Sequence, residues 1–244
     1  GMSEVVKVEG LFRRYGKHAP WAVEDVSFAV GEGEIVGLLG HNGAGKSTTL
    51  RCLEGMIPFD KGSVSICGRD IVREPVKAKA NMGFVTDDHA VFVKMTGVQY
   101  LDFMADIYKV PVDVRANRMK ELEEVFALGD SVQNLIASYS HGMRQKICMM
   151  GSLIHRPKLW VLDEPMTGLD PRTMKAVKDF MVQYAKEGNG ILFSSHALDT
   201  VAKLCDRVVL IRKGKQVSSL NVREIAAKNP DFDFEEYFLS HESD

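Results

Sequence analysis

The chain has 244 residues, 45% hydrophobic and 26% charged, with a formal net charge of −2. This length suits one large α/β domain or a domain with a subdomain, and the near-neutral charge gives no electrostatic case for a nucleic-acid or anionic-membrane partner. Cys52, Cys67, Cys148 and Cys205 form no C-x-x-C pair, which argues for reduced thiols rather than a zinc site or disulfide frame, and neither a signal peptide nor an apolar run near the roughly 18 residues that span a bilayer is expected.

Residues 5–12 and 21–30 alternate partially among Val, Phe and Leu. They predict strands of an antiparallel sheet, turned near Gly16 and again at Gly31-Glu32-Gly33, with Tyr15 on the turn between them. Ile35-Val36-Gly37-Leu38-Leu39 predicts a short buried strand. Gly40-His41-Asn42-Gly43-Ala44-Gly45-Lys46-Ser47 comes next and fits G-x-x-x-x-G-K-[ST], with a helix expected from about Ser47 to Glu54. Strand, glycine loop and helix stand in the order that a P-loop requires. The glycines let the backbone curl so that successive N–H groups point inward, and the helix N-terminus adds partial positive charge. Lys46 can reach the β- and γ-phosphates and Ser47 can ligate Mg²⁺. This stretch therefore predicts a nucleoside triphosphate site.

Residues 62–68 predict another strand, closed by a turn at Gly68-Arg69-Asp70, then a helical piece near 73–80 and a strand at Met82-Gly83-Phe84-Val85. From Val93 the apolar residues fall at helical spacing: Val98, Leu101, Met104, Ile107 and Tyr108, then Leu122, Val125, Phe126 and Leu128, then Ile147, Met150, Leu153 and Ile154. Three helices predict an α-helical subdomain at 91–155, inserted between segments 3–90 and 156–220 of an α/β core. Val91, Phe92 and Met95 read as core of that subdomain, with docking to another protein as the alternative.

Leu159-Trp160-Val161-Leu162 predicts a buried strand that ends on Asp163-Glu164. A helix over 171–187, a strand at 191–193, a short helix over 197–204 and strands at 207–211 and 216–217 complete the sheet, leaving a tail at 221–244. The fold class expected is α/β: a P-loop NTPase core with a mixed, mostly parallel sheet, an N-terminal antiparallel β subdomain and the helical insert. Ligands of such sheets bind at the C-terminal strand ends. There Asp163 can hold Mg²⁺, Glu164 can accept a proton from or orient the attacking water, and His196 can hydrogen-bond the γ-phosphate. Tyr15 can stack on a purine base.

Tyr15, the Gly40–Thr48 stretch, Leu159–Glu164, Gly168-Leu169-Asp170 and His196 together resemble an ATP-binding cassette (ABC) ATPase along nearly the whole chain. The resemblance implies ATP as ligand with Mg²⁺, Glu164 as catalytic glutamate, His196 as switch histidine and Gly168–Asp170 as the D-loop. It also implies contacts from Ser140 and Gly142, near the start of the third helix, to the ATP of a second copy. Two departures stand out. The family's L-S-G-G-Q becomes Tyr139-Ser140-His141-Gly142-Met143, a form similar to ATPases of bacterial drug, bacteriocin or polysaccharide exporters. The usual Pro-Gln after Val85 becomes Thr86-Asp87, so an anion at Asp87 stands where an amide would face Mg²⁺ or water. In function, the resemblance implies an ATPase that pairs head to tail on ATP, couples to a separate integral-membrane permease, binds no nucleic acid, and works in the cytoplasm against the inner face of the membrane. A soluble ABC-type ATPase without a transporter, for example in iron–sulfur assembly or translation, is the alternative. A GTPase or small-molecule kinase is disfavoured, because no N-K-x-D appears.

Overall fold

The computed structural model describes residues 3–86 and 92–241. Its first strands, β1 (Glu4–Arg13) and β2 (Val23–Gly31), pair antiparallel, and β1 pairs on its other side with β4 (Lys61–Ile66). Between them in sequence come β3 (Ile35–Leu39) and α1 (Lys46–Leu53). The turn expected at Gly68-Arg69-Asp70 is tighter than read: Cys67 and Gly68 both take positive φ, and Arg69–Asp70 already returns as a two-residue strand, β5, against β4. α2 (Pro75–Ala80) leads to β6 (Met82–Val85).

Three helices then leave the sheet: α3 (Gly97–Ile107), α4 (Val112–Phe126) and α5 (His141–Leu153). Thr96 and Gln99 start α3 with a reciprocal capping box, each side chain accepting the other's backbone N–H. Phe92 and Met95 pack against the buried cluster of this region, Phe92 with ring contacts to Tyr100 and Phe103, as the core reading expects, whereas Val91 lies outside the described residues. The chain returns through β7 (Leu159–Asp163), α6 (Pro171–Lys186), β8 (Gly190–Ser195), α7 (Leu198–Leu204), β9 (Arg207–Arg212) and β10 (Lys215–Asn221), ending in α8 (Val222–Lys228) and α9 (Phe234–Ser240).

The sheet order is β5-β4-β1-β2-β10-β9-β3-β8-β7-β6. From β9 to β6 every pairing is parallel, while β5-β4-β1-β2 is antiparallel. β10 joins the halves, antiparallel to β9 and parallel to β2 at Lys215–Glu24. This is the mixed, mostly parallel α/β sheet that the sequence predicts.

The parallel strands β3, β7 and β8 are buried along their full length, as expected where both faces are covered. Alternation divides their side chains between two apolar clusters. Ile35, Leu39, Trp160, Leu162 and Phe193 join the helical side with Tyr100, Phe126 and Ile147, and Val36, Leu38, Val161 and Leu192 join the side of β1, β2 and α1. Gly83 lets α5 approach the sheet, since a Cβ there would lie 1.9 Å from the Ser152 carbonyl oxygen. The parallel neighbours β3, β8 and β7 present their C-terminal ends side by side, where the P-loop, His196 and Glu164 follow.

Candidate functional site

The loop after β3 curls back on itself. Ala44 donates to the His41 carbonyl (3.1 Å), Gly214 donates to the Ala44 carbonyl (2.7 Å), and Gly45 caps α1 at φ +107°. A side chain at Gly45 would meet the Ala22 carbonyl oxygen at 2.6 Å, so both the left-handed conformation and the space select glycine. Lys46 opens α1 and is 4% exposed. Its Nζ donates to the Gly40 carbonyl (2.5 Å) and to Glu164 Oε1 (3.0 Å).

β7 delivers the two acids. The Ser194 hydroxyl donates to Asp163 Oδ1 (2.6 Å) and accepts the Glu164 amide (2.9 Å), so β8 holds the Asp163 side chain and the Glu164 backbone together. Glu164 takes φ +46°, an unusual conformation for a residue with a Cβ and one that concentrates at functional sites. Its carboxylate lies between Lys46 and His196, whose Nδ1 is 3.1 Å from both Glu164 oxygens. An ammonium, a carboxylate and an imidazole thus form a continuous polar chain across the mouth of the P-loop.

These groups line a cleft of about 680 Å³ together with Tyr15, Asn42, Gly43, Gly45, Ser47, Thr48 and Asp163. Tyr15 is 59% exposed, its hydroxyl lies 3.0 Å from Thr48 Oγ1, and the Arg13 guanidinium sits 4.7 Å from its ring centroid. The ring is tethered to the P-loop helix and remains open to a planar ligand. Ser47 and Asp163 present a hydroxyl and a carboxylate to the same cleft, a hard oxygen pair that fits Mg²⁺ completed by water and phosphate oxygens.

The remaining predicted residues lie elsewhere. Gly40, His41 and Ala44 face a second depression of about 820 Å³ behind the loop, walled by α7, β9 and α9. Ser140 and Gly142 line neither depression. Ser140 is exposed at the N-cap of α5, where its hydroxyl accepts the Met143 amide (3.2 Å), and its own proton is free to point outward. Asp170 caps α6 through the Thr173 amide (2.8 Å). Asp87 lies outside the described residues. Sequence reasoning gave no role to Gln145, Thr167 or His141, which line the cleft, or to Ser194, which holds the acids. Ser194 lies near the end of the mostly apolar β8, two residues before His196, and that position is its local signal.

Fold and cleft define a P-loop nucleoside-triphosphate-binding protein. The family described as ABC transporter matches residues 23–167, more than half of the chain, and the chain belongs to that family, among its ATP-binding ATPase subunits. It is 35% identical over 203 residues to the ABC transporter ATP-binding protein YhcH of Bacillus subtilis, covering 83% of this chain and 66% of that protein. It is 34% identical over 220 residues to the doxorubicin resistance ATP-binding protein DrrA of Mycobacterium tuberculosis, covering 90% of this chain and 66% of that one. The chain thus spans about two thirds of the length of these relatives. A solved ATP-binding subunit of an ABC transporter superposes with a TM-score of 0.89 at 28% identity, covering 97% of this chain and 98% of that one. Among the described residues, no helix is long and apolar enough to cross a membrane.

Proposed function

We propose that the chain binds ATP with Mg²⁺ and hydrolyses it to drive transport, in the export direction, through a separate integral-membrane permease. The observation that carries this reading is the Lys46–Glu164–His196 chain lying over the P-loop beside Asp163. The adenine stacks on Tyr15, and the loop amides from Gly43 to Ser47 receive the phosphates. Ser47 and Asp163 would hold Mg²⁺, which supplies neutralisation of the phosphate oxygens. Lys46 leaves Glu164 for the arriving β- and γ-phosphates, a stronger anionic partner. The freed Glu164 orients a water against the γ-phosphorus and takes its proton as the bond to the ADP oxygen breaks. His196, on the other side of Glu164, hydrogen-bonds the γ-phosphate and keeps the carboxylate facing the water.

Ser140, exposed at the α5 N-cap and, like Gly142, lining neither depression of its own chain, supports a site shared between two copies. Ser140 and Gly142 of one copy meet the γ-phosphate of the ATP held by the other, giving a head-to-tail pair that closes on ATP and opens after hydrolysis. Export is supported by the doxorubicin resistance name of a relative. With its permease the chain works at the cytoplasmic face of the membrane. The test is phosphate release by the purified chain and by Glu164→Gln, followed by ATP-driven export from vesicles holding chain and permease. Turnover that survives in Glu164→Gln refutes the catalytic assignment, and ATP-driven uptake refutes the direction.

A further inference from the structure

The helix that begins at Ser140 also grips the catalytic turn of its own chain. Gln145, one turn into α5, is 2% exposed. Its Nε2 donates to the Pro165 carbonyl at 3.0 Å, and its Oε1 is buried without a partner among the described residues. Pro165 directly follows Glu164. A buried amide satisfied at one end only is a poor way to fill space, because an apolar side chain of the same length would leave nothing unpaired. The hydrogen bond to Pro165 is what the amide adds.

That bond completes a clamp with two different anchors. On one side of the turn, the Ser194 hydroxyl holds the Glu164 amide and ties it to β8, the middle strand of the parallel run β9-β3-β8-β7-β6. On the other side, Gln145 ties the Pro165 carbonyl to α5 in the helical insert. Glu164 lies between the two anchors at φ +46°, a conformation that a residue with a Cβ holds only when its surroundings impose it. A small rotation of α5 against the sheet moves one anchor and leaves the other in place, so it must turn the Glu164 carboxylate relative to Lys46 and His196. Ser140 and Gln145 are five residues apart on the same rigid helix, roughly 7 Å along its axis.

We infer that Gln145 is a positioning residue for Glu164, which makes the catalytic carboxylate of one copy responsive to the nucleotide that its α5 N-terminus contacts in the other copy. The inference rests on the shared-site reading proposed above. Each copy's base is then aligned best when the opposite site is filled, so filling one site speeds hydrolysis at the other with no new contact to either nucleotide.

The test uses two substitutions in the full chain. Gln145→Met keeps the length and removes the donor. Its kcat falls about tenfold, with KM for ATP and thermal midpoint close to wild type, as expected for a reacting group misplaced by a fraction of an ångström. In Gln145→Glu the buried carboxyl is held protonated by desolvation and donates its O–H to Pro165. Its activity relative to wild type is high in acid and falls as rising pH ionises the group, a dependence that a packing role does not produce. ATP-driven dimerisation, measured by sedimentation in a Glu164→Gln background with and without Gln145→Met, persists in both. Wild-type kcat in Gln145→Met, or a Gln145→Glu profile that tracks wild type, overturns the inference while dimers still form. Absence of the dimer in Glu164→Gln alone overturns the shared-site reading and this inference with it.

Discussion

Glu164→Gln perturbs two things at once, and the geometry separates them. At 3.0 Å from Lys46 Nζ, the carboxylate attracts the ammonium by about 5–6 kcal/mol at an effective dielectric constant of ~20. Desolvation of the buried lysine and screening of a glutamate side chain that is 23% exposed reduce the net value to about 1–2 kcal/mol. ATP must displace this pair to engage Lys46. The glutamine lifts that competition, since its amide oxygen accepts from Lys46 without a charge, so ATP affinity rises by about 5- to 30-fold. Loss of the base acts in the opposite sense and lowers turnover by about 10²–10⁴-fold. Calorimetric titration with Mg²⁺–ATP reads the first effect, and phosphate release at saturating ATP reads the second. Turnover at the wild-type rate refutes Glu164 as the base. Affinity that is unchanged or weaker refutes the exchange of Lys46 between Glu164 and phosphate.

Two further predictions concern the frame around the cleft. Ser152→Ala leaves the fully buried Trp160 Nε1–H, now bonded to Ser152 Oγ at 2.8 Å, without its acceptor and costs about 1–3 kcal/mol in urea unfolding, whereas a cost near zero contradicts the bond. His155 stacks on Tyr108 at 3.5 Å between ring centroids and has Nε2 3.0 Å from the Met82 carbonyl oxygen. Burial first, then the nearby Arg118 charge, lowers its pKa from 6.5 to about 4, against the opposing pull of the Met82 carbonyl. Its charged form is disfavoured in the folded state, so the unfolded chain takes the proton first as pH falls. Stability is therefore full above pH about 6.5 and drops by roughly 2–3 kcal/mol towards pH 4. His155→Gln flattens that limb, and an unchanged acid limb in the variant assigns the loss to other groups.

The P-loop and the acid pair were legible because their chemistry is local. Gly40–Ser47 and Leu159–Glu164 each place strand, turn and functional side chain within a few residues, so the residue order alone announces the chemistry. The sequence marks only Gln216–Val217 of β10, because half-exposed positions alternate along Lys215–Asn221 and its pairing with β9, not its apolar content, makes it a strand. The two short helices of the tail, α8 and α9, carry no clear sequence signal. Asn221 and Asp233 cap them, but seven residues are too few for a clear period. Long-range polar contacts were invisible for a different reason. Lys46–Glu164 spans 118 positions and Gln145–Pro165 crosses from the insert to the core, so neither leaves a spacing to detect. The strand order is hidden as well: β8 separates β3 from β7, and the Ser194 hydrogen bonds that hold Asp163 and Glu164 depend on that insertion.

One working site is proposed to draw on two copies, with Lys46 and Glu164 from one and Ser140 from the other. A mixture of Lys46→Ala and Ser140→Ala chains tests it most directly. In a head-to-tail pair of the two variants, one site has lost both contributions and the other retains intact Lys46, Glu164 and Ser140. Each variant alone is expected to be nearly inactive, and mixing to raise ATP hydrolysis above the sum of the two, with the gain growing with protein concentration. Activity of the mixture equal to that sum at every concentration contradicts the shared site.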